Sequence, residues 1–148
     1  MGKYEEALNE FEECRKIRET SLGKDHPDYA ATLNNIGLTY GSMDKYEEAL
    51  KEYEEFKKVL ETSLGKNHPH YASILYNIGG IYFNMGKYEE ALNEFEECLK
   101  IMETLGKNNP PNYNEILNRI WLGFIKMGKV EKSEEALRIN NKMKAMIE

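Results

Sequence analysis

Apolar residues recur along the chain at helical spacing, in pairs of stretches separated by short polar turns. Between residues 33 and 60 the run Leu33, Ile36, Gly37 and Tyr40 is followed, after a turn at Ser42 to Lys45, by Tyr46, Ala49, Leu50, Tyr53, Phe56, Val59 and Leu60. These positions follow the i, i+3, i+4, i+7 rhythm of one helix face, so the pattern predicts two amphipathic helices joined by a tight turn. The same alternation returns with Leu75, Ile78, Gly79 and Tyr82, then Tyr88, Ala91, Leu92, Phe95, Cys98 and Ile101. No stretch alternates with the two-residue period of a half-buried strand, so an all-α fold is expected.

The recurrence is literal. MGKYEEALNEFEEC at Met1 to Cys14 reappears unchanged at Met85 to Cys98, and KYEEALKEYEEF at Lys45 to Phe56 is a close copy midway, a period of 42 residues (43 to 85, 85 to 127). SLGKDHPDYAATLNNIGLTY (Ser21 to Tyr40) likewise returns as SLGKNHPHYASILYNIGGIY (Ser63 to Tyr82) and, more loosely, as TLGKNNPPNYNEILNRIWLGF (Thr104 to Phe124). Identical hairpins cannot each bury an apolar face alone and are expected to stack into a continuous core. Gly23, Gly65 and Gly106 stand where long helices should end in a left-handed residue, while Pro27 and Pro69 suit the first turn of the helix that follows. Gly86 and Gly128 mark the turn inside a hairpin, with Asp44 in their place in the second unit.

Small residues at fixed positions carry a family resemblance. Gly37 and Gly79 on the first helix, and Ala7, Ala49 and Ala91 on the second, allow close approach, with Tyr40, Tyr82, Tyr53 and Phe95 filling the space between. The pattern resembles the tetratricopeptide repeat, in the longer form of kinesin light chains, whose second helix runs on by about two turns beyond the usual unit of about 34 residues. The resemblance implies a right-handed α-solenoid of antiparallel helix hairpins, about seven helices in all, acting as a non-catalytic scaffold for proteins or peptides. The expected division is an orphan second helix at 1–23, repeats at 24–65 and 66–107, and a repeat at 108–148. The last contains a capping helix from Val130 to Ile147 with a stripe of Ala136, Leu137, Met143, Met146 and Ile147. Trp121 departs from the pattern where Gly37 and Gly79 stand, and Ser133 and Glu134 replace the Ala-Leu pair.

In such arrays the first helices line the concave groove. The positions this implies as peptide contacts are Asn34, Asn35 and Leu38, then Tyr76, Asn77, Phe83 and Asn84, then Asn118, Arg119, Leu122 and Lys126, with Glu115 beside them. Asn35 and Asn77 would form a ladder of amides able to donate to and accept from a peptide backbone, continued by the Arg119 fork, which suits a carboxylate. Asn77 followed by Arg119 resembles part of the carboxylate clamp of chaperone-tail binders. Glu115, one turn before Arg119, opposes that reading, since it can pair with Arg119 at i, i+4. The alternative is that the amides bond to neighbouring helices and the groove holds water. A different class of function is self-association: an orphan first helix would leave Tyr4, Ala7, Leu8 and Phe11 uncovered, and such a patch marks an interaction surface.

Charge and composition narrow the field further. With 26 acidic against 20 basic residues the formal net charge is -6, the opposite of the basic stripe expected of a nucleic-acid binder. No apolar run approaches the roughly 18 residues needed to span a bilayer, and the expectation is a cytoplasmic protein with no membrane association. His26, His68 and His70 lack the further ligands of a recognisable metal spacing, so loop polarity and helix entry account for them. Cys14 and Cys98, two repeats apart, are expected to be free thiols. Glu5-Glu6, Glu47-Glu48 and Glu89-Glu90 sit at helix starts, where they complement the helix dipole. With no phosphate loop, nucleophile elbow or paired metal-binding helix, neither a catalytic site nor a cofactor is expected.

Overall fold

The computed structural model describes residues 2–106 and 113–129, together with Glu134, Leu137, Arg138 and Asn141. Among the described residues the chain forms six helices and no strand: α1 (Gly2–Leu22), α2 (Pro27–Ser42), α3 (Tyr46–Ser63), α4 (Pro69–Asn84), α5 (Tyr88–Leu105) and α6 (Tyr113–Lys126). The expected seventh helix, with Val130, Ser133, Ala136, Met143, Met146 and Ile147, lies outside the described residues. The four described positions in that stretch are helical, and Leu137 among them is exposed.

Each helix packs chiefly on its neighbours in the chain, α1 on α2, α2 on α3, and so on to α5 on α6. Leu33, Leu75 and Leu117, on α2, α4 and α6, are each buried in successive layers of one core that also takes in Tyr53, Phe95 and Ile120. This serial packing makes the molecule an all-α solenoid.

Helix boundaries follow from local chemistry. His26 and His68 are the N-caps of α2 and α4, each with its Nδ1 accepting from the backbone amide two residues on, Asp28 and His70, at 3.1 Å. These bonds satisfy amides that the first helical turn leaves free, and they give the two histidines a structural role. Pro27 and Pro69 occupy the turn that follows. Inside the hairpins the turn residue has positive φ, 78° at Gly86 and 58° at Asp44. Asp44 carries the conformation without glycine, and its carboxylate accepts from the Tyr46 hydroxyl at 2.9 Å.

The close approach within each hairpin has a direct geometric cause. A Cβ placed on Gly37 would stand 2.5 Å from the Tyr53 ring, and one on Gly79 would stand 2.6 Å from the Phe95 ring. Both rings are buried, so the glycines set the depth to which α3 and α5 seat against α2 and α4.

Buttons between layers are polar. The hydroxyls of Tyr71 and Tyr113 donate to Glu61 and Glu103, ten residues earlier, whereas Tyr29 donates to Glu55 instead of the equivalent Glu19. On the second-helix layer, Arg15 of α1 bonds Glu12 and reaches Glu52 of α3 at 2.8 Å. Glu52 is a buried acid. Its carboxyl is pushed up by burial despite Arg15. The counterpart one repeat on is Glu94, whose carboxyl burial also raises; one of its oxygens is buried without a hydrogen-bond partner, and Lys57 acts on it only through charge.

Candidate functional site

Stacking α2, α4 and α6 side by side brings their outward positions together in a fixed register. The Asn77 amide donates to Asn34 Oδ1 at 3.1 Å, a step of 43 residues. One repeat on, Arg119 takes the same step back and lies 5.3 Å from the centre of the Tyr76 ring. The expected ladder of Asn35, Asn77 and Arg119 therefore presses against the row one residue earlier, and Asn35 stays exposed at its end. Part of the Asn77 amide is committed to a neighbouring helix.

Tyr76 is the hub of the region. Its hydroxyl donates to Glu115, its ring lies 6.0 Å from that of Phe95, and the Arg119 guanidinium covers its face. Burial, then the bond to Glu115, pushes its phenol up to about 12. Glu115 also pairs with Arg119 at 3.5 Å, the i, i+4 contact expected from spacing. Arg119 is thus placed between an aromatic face and a carboxylate, and its charge is in part answered within the protein.

Beside this cluster lies a cleft of about 270 Å³ lined by Leu38, Gly41, Ser42, Tyr53, Tyr76, Asn77, Gly80, Ile81, Asn84 and Arg119. Five of the sequence-predicted contacts meet there: Leu38, Tyr76, Asn77, Asn84 and Arg119. Phe83 lies instead half-buried against Tyr88, with ring centres 5.1 Å apart. Asn118, Leu122 and Lys126 are exposed on α6 outside the cleft, and Asn34 touches it only through Asn77.

Gly41, Ser42, Tyr53, Gly80 and Ile81 line the cleft without having been among the expected contacts, and for the two glycines the repeat itself carries the signal. Gly80 stands where the other units have Leu38 and Leu122, and Gly41 where they have Phe83 and Ile125. A Cβ on Gly80 would stand 3.4 Å from Arg119 Nη1, so the guanidinium lies at contact distance over this bare stretch of backbone. Both glycines remove side chains from the space the cleft occupies.

The second candidate surface is on α1, which buries none of its residues. Tyr4 is 43 % exposed and Ile17 61 % exposed, while Ala7, Leu8 and Phe11 are half-covered. The same sequence in α5 has Ala91, Leu92, Phe95 and Cys98 buried. Among the described residues no three metal-ligating side chains converge, and no helix is long and apolar enough to cross a membrane.

The tetratricopeptide repeat model matches residues 1–62 and 42–104. Among solved structures, the chain is similar to BtubC (BKLC) from P. vanneervenii, with a TM-score of 0.89 at 19 % identity over 99 % of this chain, which spans 58 % of that one. It is similar also to a putative kinesin light chain from Podosopora anserina with nearly identical repeats, at a TM-score of 0.84 and 19 % identity, covering 98 % of this chain and 69 % of that one. MamA from MSR-1 aligns less closely, with a TM-score of 0.60 at 20 % identity over 93 % of this chain and 70 % of that one. No curated protein matches the chain significantly.

Proposed function

Because this chain belongs to the tetratricopeptide repeat family, we propose that it is a non-catalytic interaction scaffold that binds a peptide segment of a protein partner along α2, α4 and α6. The observation that carries this reading is the cleft formed by Leu38, Gly41, Gly80, Asn84 and Arg119 at the junction of three first helices. Its walls combine apolar side chains with amides and one cation, and a cleft of about 270 Å³ suits one large side chain together with the backbone that bears it. The free part of Asn77 and the exposed Asn84 hold that backbone, and Leu38 contacts the side chain. Leu122, Lys126, Asn118, Asn34 and Asn35, carried by the repeat units we propose at 24–65, 66–107 and 108–148, flank the path of the segment. Arg119, already paired with Glu115, is a weak carboxylate clamp, so the preferred segment is one whose anchor is uncharged.

A peptide-library screen tests this. Hits should lose at least tenfold in affinity on Gly80→Leu, which restores the side chain of the other units and fills the cleft, and on Asn77→Ala with Arg119→Glu. If every hit keeps its affinity in both variants, the groove reading is wrong.

A second reading is favoured by a separate observation, the uncovered face of α1. There the chain associates with another copy through Tyr4, Ala7, Leu8 and Phe11. Light scattering should then detect a dimer that Phe11→Glu dissociates, and a strictly monomeric protein at high concentration removes this reading.

A further inference from the structure

Resting on the reading of the α1 face as an interaction surface, the geometry points to its occupant: we propose that this face receives a helix of the α4 type, one carrying glycine where α4 has Gly79. The argument comes from an interface inside the molecule itself. Residues 1–14 and 85–98 are identical, so α1 from Tyr4 to Cys14 carries the same side chains as the start of α5 from Tyr88 to Cys98. In α5 the part of this surface formed by Tyr88, Phe95 and Cys98 is covered by α4, while Leu92 meets Gly123 of α6. Phe95, fully buried, sits in the hollow that Gly79 leaves, with a Cβ there coming within 2.6 Å of its ring. The Cys98 thiol donates to the Ala72 carbonyl at 3.1 Å, and Tyr88 takes the edge of Phe83 at 5.1 Å.

On α1 the counterparts Tyr4 and Phe11 keep their places on one helix, with Tyr4 43 % exposed where Tyr88 is partly covered, whereas the Cys14 thiol lies 4.0 Å from Thr32 Oγ1 of α2. A surface of this shape discriminates by volume. A guest helix with alanine or a larger residue at the glycine position would drive its Cβ into the Phe11 ring, whereas glycine lets the two helices close, and overpacking of this kind is costly. Helix α6 is excluded as a guest, because Trp121 occupies the corresponding position. Beyond Cys14 the copies diverge: Arg15 replaces Leu99 and Arg18 replaces Met102. Both arginines are turned to α3 and α2, where they bond Glu52 and Thr32, so the match to α4 is confined to the stretch Tyr4 to Cys14.

The test is titration of the full chain with a labelled synthetic peptide of the Pro69–Asn84 sequence, bearing a polar solubilising tail, followed by fluorescence anisotropy and by amide chemical-shift mapping. The expected result is saturable binding that shifts Tyr4, Ala7 and Phe11 and weakens at least tenfold when the peptide carries Gly79→Leu. Altering the peptide leaves the folding of the protein untouched. The same loss is expected when the protein carries Phe11→Glu. Absence of binding up to millimolar peptide, equal binding of the Gly79→Leu peptide, or shifts confined to other helices would each overturn the proposal. The two readings of α1 separate cleanly: a dimer that Phe11→Glu dissociates, with no peptide bound, sinks the α4-type guest and keeps self-association, and a monomer that binds the peptide through Gly79 does the reverse.

Discussion

The Arg119 guanidinium lies 5.3 Å from the centre of the Tyr76 ring, on the neighbouring first helix. The same 43-residue step joins Asn77 to Asn34. This register converts a repeated sequence into a row of cross-links between layers, and it places a cation, a phenol and the Glu115 carboxylate at the edge of the cleft. The pair is half-exposed, where a cation over an aromatic face is worth about 0.5–1 kcal/mol.

A double-mutant cycle on Tyr76→Leu and Arg119→Met, read by urea denaturation, should therefore give a coupling of about 0.5–1 kcal/mol. Tyr76→Phe keeps the ring and loses the bond to Glu115; its cost should be about 1 kcal/mol and should leave most of the coupling to Arg119 in place.

Gly79→Ala is expected to destabilise the chain by about 1–3 kcal/mol, because the added Cβ meets Phe95 at 2.6 Å. Thermal unfolding measures the loss. Combining it with Phe95→Leu, which frees space at the contact, should cost less than the sum of the two single changes. Gly128, by contrast, has nothing within 4 Å of an added Cβ; substitution there meets only the strain of a φ of 71°.

Burial raises the Glu94 carboxyl above its usual range, and one of its oxygens lacks a partner. A carboxyl whose pKa is raised on folding holds its proton more firmly in the folded state, so its ionisation costs stability as pH climbs above the unfolded value of about 4.3. Glu94→Gln should stabilise the protein by about 1 kcal/mol at pH 7, and this gain should shrink to nothing once the pH falls below about 4. Parallel denaturant titrations of the two proteins at several pH values check both the sign and the window.

The two cysteines should separate kinetically. Cys98 is fully buried, its thiol pushed up to about 12 by burial, whereas Cys14 is partly accessible. An alkylating reagent at neutral pH is expected to modify Cys14 first and Cys98 only at the rate at which the fold opens. Mass spectrometry of a time course reads this, with full and simultaneous labelling as the contrary outcome.

His68→Ala should cost about 1 kcal/mol through loss of the α4 cap, and His68→Asn should restore most of it, since the acceptor to the His70 amide is what the side chain supplies. Far-ultraviolet circular dichroism during thermal melting distinguishes the two.

The architecture was legible in the chain because it is written locally and several times over. Helical period, a glycine after each long helix and a proline at the next helix start are properties of a few adjacent residues, so the solenoid of hairpins follows from them directly. Gly37 and Gly79 were readable for the same reason, as small residues recurring at one position.

What only the stacking decided is how neighbouring layers meet. The offset that joins Asn77 to Asn34 and not to Asn35, the cleft opened by Gly41 and Gly80, and the burial of Glu52 against Arg15 all depend on how far one helix slides past another. That slide is set by side-chain volumes summed across two surfaces, Phe95 in the Gly79 hollow among them. A periodic sequence specifies which faces are apolar, and packing at close range determines which atoms on those faces touch.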